Sequence, residues 1–311
     1  MTAFPRRILV TGAAGFLGRI LTRHLESRSD VELVLATDRV FLREHGDKTR
    51  FVARDVREPF EDLMREYEIE AIAHHAFQLQ TSRNEQTARR INVEAAGSLA
   101  EEALFAKVGR FVYPSSTSVY GAWPDSEAHT EDEPLRPASG FQYPLHKAAA
   151  ERTLRERTTP ELTTVILRSC VILGPGADNF ISRSLGLRVL PLPSGTNPPM
   201  QFLHVDDYVK AVEAVLGASV SDTYNIAGLG TVTVREFTRI AGSRVISVPE
   251  PLLRWLTDTT WKLRLQSRSP ASGITYIRYP WLASTTRIAK ELGWHADHTT
   301  EEAVRAWAEA R

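Results

Sequence analysis

Tyr143 and Lys147 stand four residues apart in Tyr143-Pro144-Leu145-His146-Lys147. On a helix that spacing puts both on one face, one turn from each other. An ammonium beside a phenol can stabilise the phenolate and draw its pKa down, which makes the tyrosine a proton donor or acceptor. Pro144 suits only a first turn, so the helix must begin close to Tyr143. Alone, such a pair is common on solvated helices. A second stretch, Tyr113-Pro114-Ser115-Ser116-Thr117-Ser118-Val119-Tyr120-Gly121, is rich in hydroxyls, and one of them could bond the oxygen that the tyrosine protonates. A third is Thr11-Gly12-Ala13-Ala14-Gly15-Phe16-Leu17-Gly18, with glycines three apart. Gly12 permits a tight turn, Gly15 lets the backbone approach a pyrophosphate, and Gly18 lets a helix pack closely on a sheet. Ala14, Phe16 and Leu17 sit where the helix N-terminus offers unpaired N–H groups to phosphates. Asp38, twenty residues beyond Gly18, could accept hydrogen bonds from the ribose hydroxyls of an adenosine. These residues predict a dinucleotide site. Asp38 would repel a 2′-phosphate and so favours NAD, with Arg39 beside it as the opposing signal for NADP.

The elements that must hold these residues follow from short apolar runs alternating with turns and helical patterns, the signature of a parallel α/β sheet. Ile8-Leu9-Val10 predicts a first strand, and Phe16, Leu17, Ile20, Leu21 and Leu25 a helix after it. Further strands are expected at 31–36, 51–54, 71–74, 110–113 and 163–167, with a long helix at about 85–106 and another starting near Tyr143. The predicted fold is α/β, a Rossmann doubly wound parallel sheet with a smaller C-terminal substrate-binding lid. Residues 1–173, with a contribution from about 203–228, would form the dinucleotide-binding domain, and 174–202 with 229–311 the lid. Gly174-Pro175-Gly176 and Pro191, Pro193, Pro198 and Pro199 mark the change of character. A helix is expected over Val205 to Leu216, and the capping-box patterns Thr233-Val234-Arg235-Glu236 and Thr299-Thr300-Glu301-Glu302 mark two more helix starts.

The composition bounds the partners. The chain has 311 residues, and 38 Lys plus Arg balance 38 Asp plus Glu. A neutral chain lacks the basic surplus that nucleic-acid phosphates or an anionic membrane would attract by general charge. One cysteine, Cys170, excludes an internal disulfide framework and a Cys-rich zinc site. No apolar run approaches the ~18 residues of a membrane span. The expected setting is cytoplasmic, with a small-molecule substrate and neither nucleic acid nor membrane as partner.

The three stretches, in their order and spacing, resemble the extended short-chain dehydrogenase/reductase family in its NAD-dependent epimerase/dehydratase branch, over nearly the whole chain. Asp55-Val56 matches the family's adenine-contacting acid after the third strand, and His74-His75-Ala76 the segment that lines the cofactor. Asn92-Val93 matches the asparagine of the long helix. Arg168 through Gly174-Pro175, Phe202-Leu203-His204-Val205-Asp206-Asp207 and Leu292-Gly293-Trp294 match further family elements. Aligned on Tyr120-Gly121, the family's catalytic hydroxyl falls on Ser116. The resemblance thus implies a triad of Ser116, Tyr143 and Lys147, with NAD as cofactor and Lys147 also holding the nicotinamide ribose. It implies hydride transfer at a secondary alcohol or ketone carbon, and Ser116, Thr117 and Val171 as substrate contacts. Dimers through the long helices are common in the family, and 85–106 could serve.

Two positions depart from the sugar-nucleotide members. The asparagine those enzymes carry falls on Val171, and an arginine that contacts the diphosphate falls close to Met200. Arg183, Arg188 or Arg278 could compensate. The acidic pair of the 4,6-dehydratases is Thr117-Ser118 here, which disfavours sugar dehydration. Other residues have plainer expectations: His74 packing at a strand end, His204 structural, Asp206 and Asp207 capping the next helix, Cys170 packing, and no metal site. Trp255, Trp261, Tyr276, Tyr279 and Trp281 could line a pocket or form the lid core. Three functions remain open: an NAD-dependent dehydrogenase, a nucleotide-sugar epimerase with tightly held NAD, and a non-catalytic dinucleotide sensor. A sensor typically loses the tyrosine or the lysine, and both are present here.

Overall fold

Aliphatic runs buried on both faces make parallel strands, and this chain has them where the sheet needs them. The structure is a computed structural model that describes residues 3–157, 159–177, 180–219, 221–266 and 269–311. Its first strands are β1 (Arg7–Thr11), β2 (Leu33–Asp38), β3 (Thr49–Ala53), β4 (Ala71–His74), β5 (Arg110–Ser116) and β6 (Thr163–Ser169). Four short strands follow: β7 (Val171–Leu173), β8 (Val189–Pro193), β9 (Pro199–Met200) and β10 (Phe202–His204). Then come β11 (Asp222–Ile226), β12 (Val232–Thr233) and β13 (Arg244–Val248). The order β11-β6-β5-β4-β1-β2-β3 makes one seven-stranded parallel sheet. It is a doubly wound Rossmann-type sheet whose direction reverses between β1 and β4, the place where such sheets open a crevice.

The two faces of β1 show why the sheet is stable. Ile8 and Val10 pack into one apolar layer with Leu21, Leu25, Val209 and Val212, while Leu9 packs into the other with Ile72, Leu99, Phe111 and Leu154. Each fully buried side chain of this kind contributes about 1.5–3 kcal/mol. A third apolar cluster, with Leu173, Leu190, Phe202, Phe237 and Trp307, lies among the short strands and the C-terminal helix. There β7 pairs with β10, β8 with β13 and β9 with β12.

Several element ends moved from their expected places, each for a pairing reason. β2 runs two residues later than 31–36 because its register to β1 sets Arg7 against Leu33 and Thr11 against Thr37, which brings Asp38 to the strand end. β5 continues through Pro114 to Ser116, because pairing with β6 carries on to Ser116 against Ser169. β11 is a seventh strand that the sequence did not mark. The long helix is real but divided: Glu85–Arg89, a π-turn at Arg90–Glu94, then Ala95–Phe105. A π-turn inserts an extra residue and re-aims the side chains around it. The helices Phe16–Ser27, Gln142–Arg157 and Val205–Leu216 fall where expected, and both capping boxes are formed at Thr233 and Thr299. Among the described residues no helix is long and apolar enough to cross a membrane.

Candidate active site

The glycine loop is pressed against the end of β4. Gly12 has φ +67°, and a Cβ there would stand 2.6 Å from the Ala76 nitrogen and 2.7 Å from the His75 carbonyl carbon. A Cβ on Gly18 would meet the Gly12 oxygen at 2.2 Å, so the helix lies directly on the turn. Gly15 is different: its Cβ would meet only the Gly12 oxygen, at 3.2 Å, which leaves its outer side open. Gly15 caps the Phe16–Ser27 helix without a side-chain hydrogen bond, and no acid occupies the first turn. That end can therefore receive an anion. Phe16 and Leu17, both half-buried, pack their side chains against apolar clusters, and their backbone N–H groups stand at the helix end.

A cleft of about 260 Å3 opens here, lined among others by Gly12, Gly15, Asp38, Asp55, Val56, His75 and Ala76. The Ala14 N–H donates to one carboxylate oxygen of Asp38 at 3.1 Å, and the Val40 N–H to the other at 3.0 Å. The carboxylate is fixed, and each oxygen keeps a lone pair for a ribose hydroxyl. Asp55 is held by Arg57, at 2.9 and 2.7 Å, which pulls its carboxyl down to about 2. Arg39 also reaches towards Asp55, at 3.8 Å. His75 bonds the Tyr208 hydroxyl at 2.7 Å, and burial pushes its imidazole down to about 4, so it is neutral at physiological pH. Asn92, in the π-turn, faces away from the cleft. Its amide clasps the backbone of Gln78, at 2.7 and 3.1 Å, and meets His146 at 3.1 Å. It shapes the cleft wall from behind. A loop that only glycine fits, an open helix end and a fixed carboxylate together suit a dinucleotide.

Tyr143 and Lys147 share the start of the Gln142–Arg157 helix, and the helix face they occupy packs against the end of β5. Ser116 lies near enough to Tyr143 to draw its phenol down, and the Ser116 oxygen accepts from the Ser118 N–H at 3.2 Å and hydroxyl at 3.0 Å. The three expected catalytic side chains thus gather at one strand end. The expected effect of lysine on tyrosine is not what this geometry produces. Lys147 donates to the Pro114 carbonyl at 2.5 Å and lies 3.8 Å from the centre of the Phe77 ring. Burial pushes it down to about 7, and it raises no ion pair with the phenol. Tyr143 stands above its ordinary value through burial, with the neighbouring Ser116 hydroxyl acting in the opposite direction. One turn further on, fully buried Glu151 takes the guanidinium of Arg168 at 2.7 Å and the Ser115 hydroxyl at 2.5 Å. Arg168 continues to the Tyr120 hydroxyl at 2.6 Å, and Tyr120 to Asn225 at 2.8 Å, tying β5, β6 and β11 together beneath the site.

Beyond Tyr143 lies a cavity of about 420 Å3. Its wall includes Val171, Leu185, Leu187, Met200, Tyr276 and Trp281, and no charged residue lines it among the described residues. Segment 75–79 divides the two spaces, since His75 to Gln78 line the cleft and Leu79 the cavity. Thr117 is corrected as a substrate contact. It is fully buried and turned to the Ser169 carbonyl at 3.4 Å, while Ser118 lines the cavity in its place. The 3-10 turn Thr117–Tyr120 causes the exchange, and the sequence signal was only the adjacency of two hydroxyls. Phe77, which packs edge-on against Tyr143 at 5.6 Å, was also missed. None of the three candidate arginines enters the cavity wall. Arg278 bonds Thr196 at 2.6 Å and Glu250 at 3.3 Å, and Arg183 and Arg188 are exposed. The aromatic candidates divide: Tyr276 and Trp281 line the cavity, Trp261 lies under Arg83, Tyr279 beside Arg278, and Trp255 is exposed.

The remaining polar residues serve the scaffold. His74 bonds Thr11 at 2.8 Å and packs beside Tyr113 at the end of β4. Cys170 is buried, and burial pushes its thiol up to about 12. The cap of the Val205–Leu216 helix is His204, which accepts from the Asp206 N–H at 3.3 Å, not Asp206 or Asp207. Asp207 instead accepts from the His298 ring and backbone at 3.0 Å. Ligand atoms of His204, Asp206 and His298 lie within 4.8 Å of one another. The two imidazoles stack face to face at 4.1 Å, so their in-plane lone pairs do not converge on one ion.

A sequence profile of the NAD dependent epimerase/dehydratase family matches residues 8–227. An uncharacterized protein of Mycobacterium tuberculosis is 30% identical over 313 residues, covering 96% of this chain and 82% of its own length. The low-salt glycan biosynthesis protein Agl12 of Haloferax volcanii is 31% identical over 240 residues, 70% of this chain and 76% of that protein. Among solved structures, MoeE5 in complex with UDP-glucose and NAD has a TM-score of 0.77 at 26% identity, with 98% of each chain covered. UDP-glucose 4-epimerase of Thermotoga maritima with UDP-glucose has a TM-score of 0.78 at 21% identity over 98% of each chain, a likeness of fold.

Proposed function

The chain belongs to the NAD-dependent epimerase/dehydratase family, and from that premise we propose that it interconverts a secondary alcohol and a ketone on a largely apolar, uncharged compound. Its cofactor is NAD. The observation that carries the substrate half is the cavity beside Tyr143, whose lining holds no charged side chain among the described residues. A diphosphate buried there would find hydroxyl and amide donors but no cation among the described lining residues, so its charge would be heavily penalised.

In the proposed site, residues 1–173 with 203–228 hold the dinucleotide, and 174–202 with 229–311 cover the substrate. Asp38 holds the adenosine ribose, and the open helix end at Gly15 receives the pyrophosphate. Bound NAD supplies the hydride acceptor at C4 of its nicotinamide. In the ketone-to-alcohol direction the Tyr143 phenol would give its proton to the substrate oxygen, and in the reverse direction the Tyr143 phenolate would take the hydroxyl proton as the carbinol carbon gives up its hydride. Ser116 would hold the substrate oxygen, and Lys147, anchored on the Pro114 carbonyl one turn from Tyr143, would reach the nicotinamide ribose. Ser118 and Val171 touch the substrate from the cavity wall.

Absorbance of NADH tests this during a screen of apolar secondary alcohols and ketones alongside nucleotide sugars. Turnover of apolar compounds is expected, with Tyr143→Phe slowing it at least about 100-fold while NAD affinity stays unchanged. A Tyr143→Phe variant that keeps more than a few per cent of the rate would reject the assignment of the proton to Tyr143. The second reading, a nucleotide-sugar epimerase that keeps its NAD through turnover, is favoured by the UDP-glucose bound to MoeE5. It would be recognised by epimerisation without net NADH and by NAD that stays with the protein through purification.

A further inference from the structure

The helix Glu250–Lys262 presents two adjoining faces. Leu253, Thr257 and Thr260, at i, i+4 and i+7, line the apolar cavity. Leu252, Trp255, Leu256 and Leu263, at i, i+3, i+4 and i+11, share the next face, and it looks outward: Trp255 is 62% exposed and Leu263 64%. Leu265, just past the helix, belongs to both, since it lines the cavity and is 74% exposed. The apolar ridge therefore runs to the mouth of the cavity. Outward ridges of this kind mark a surface that something covers.

Charge decides what covers it. Lys262 and Arg264 are exposed at the end of the ridge, and neither makes an ion pair among the described residues. Arg83 lies beside them, its guanidinium on the Trp261 carbonyl at 2.6 Å and 4.6 Å from the centre of the Trp261 ring. Leucines and a tryptophan bordered by unpaired cations match the boundary layer of an anionic bilayer, where acyl chains meet the leucines and headgroups the cations. A second copy of the chain is the competing occupant, and the oligomeric state in solution distinguishes it.

We propose that this face docks the protein on an anionic membrane surface, with the 250–262 helix lying in the interface and the cavity mouth opening against the lipid. Resting on the apolar-substrate reading above, the compound handled is then a membrane-partitioning hydroxy or keto lipid that enters the cavity from the bilayer. The neutral charge of the whole chain is no obstacle, because the attraction is local to one face.

Sedimentation of the full chain with vesicles tests the proposal, using phosphatidylcholine alone and phosphatidylcholine mixed with phosphatidylglycerol. Binding is expected to the anionic vesicles and to weaken with salt. The pairs Trp255→Ser with Leu256→Ser, and separately Lys262→Glu with Arg264→Glu, should each weaken it at least about tenfold, with NAD affinity and thermal melting unchanged. No binding to anionic vesicles overturns the proposal, and so does binding that neither pair of substitutions weakens. A dimer in light scattering that the Trp255/Leu256 pair dissociates would also overturn it, by making a second copy the occupant. Vesicle binding is read without substrate. Failure of apolar compounds to turn over would therefore reject the proposed reaction and leave the docking result standing.

Discussion

Lys147 carries its charge in a place that opposes it. Burial under Phe77 and Tyr113 pushes it down from the ordinary 10.5 to about 7, with Glu151 one turn away acting to raise it. Between those two values the unfolded chain holds a proton that the folded chain has released, so this residue makes stability rise with pH across that window. The penalty is fully present below about 7 and gone above 10.5. Replacing Lys147 by Met should therefore shift urea midpoints in its favour most at about pH 6 to 7, and the advantage should shrink toward about pH 10. A difference that does not change with pH would refute the depressed value. Asp38 governs a second choice. Its carboxylate is fixed by the Ala14 and Val40 N–H groups, and the exposed Arg39 reaches towards Asp55 at 3.8 Å. NAD should bind at least about tenfold more tightly than NADP, or ~1.4 kcal/mol, by calorimetry. Asp38→Ala should narrow that gap. NADP binding as well as NAD to the unaltered protein would mean that Arg39 outweighs Asp38.

At the scale of elements, the strand ends are held by a buried ion pair. Arg168 on β6 and Glu151 on the Tyr143 helix are both almost wholly buried, and the hydroxyls of Ser115 and Tyr120 complete their bonding. Removing one partner leaves the other charge buried and unmatched, which costs about 3–5 kcal/mol. Arg168→Met should lower stability by that order in urea unfolding, and the double change Arg168→Met with Glu151→Met by less than the sum of the single changes. Additive losses would mean that the pair does not act as a unit. The π-turn at Arg90–Glu94 has a related task. It turns Asn92 inward to the Gln78 backbone, and through Gln78 it sets the wall that the cleft and the cavity share.

Taken whole, the molecule sets a polar cleft that suits NAD against an apolar cavity, with Tyr143 at the junction. Val171 and Met200 stand in the cavity wall, and the guanidinium of Arg278 is engaged by Thr196 and Glu250. UDP and dTDP should therefore inhibit only weakly, with Kd of order 1 mM, or about −4 kcal/mol. Micromolar competition by either nucleotide would place the protein with sugar-nucleotide enzymes and remove the apolar-substrate reading.

What the amino-acid order determined by itself was local or periodic. The glycine spacing needs only a turn geometry, β4 is a plain aliphatic run, and the capping boxes at Thr233 and Thr299 close within four residues. Each could be read because its physical cause lies between near neighbours in the chain. The coming together of Ser116, Tyr143 and Lys147 was legible only through family likeness. What the tertiary structure decided depends on residues far apart. Pairing with β6 carried β5 through Pro114, and that exposed the carbonyl which engages Lys147. The 3-10 turn after Ser116 sent Thr117 inward and Ser118 to the cavity. A partner 91 residues away claimed Asp207 and left His204 to cap its helix. A side chain's direction and its pKa follow from which distant groups fold against it, and no local pattern records that.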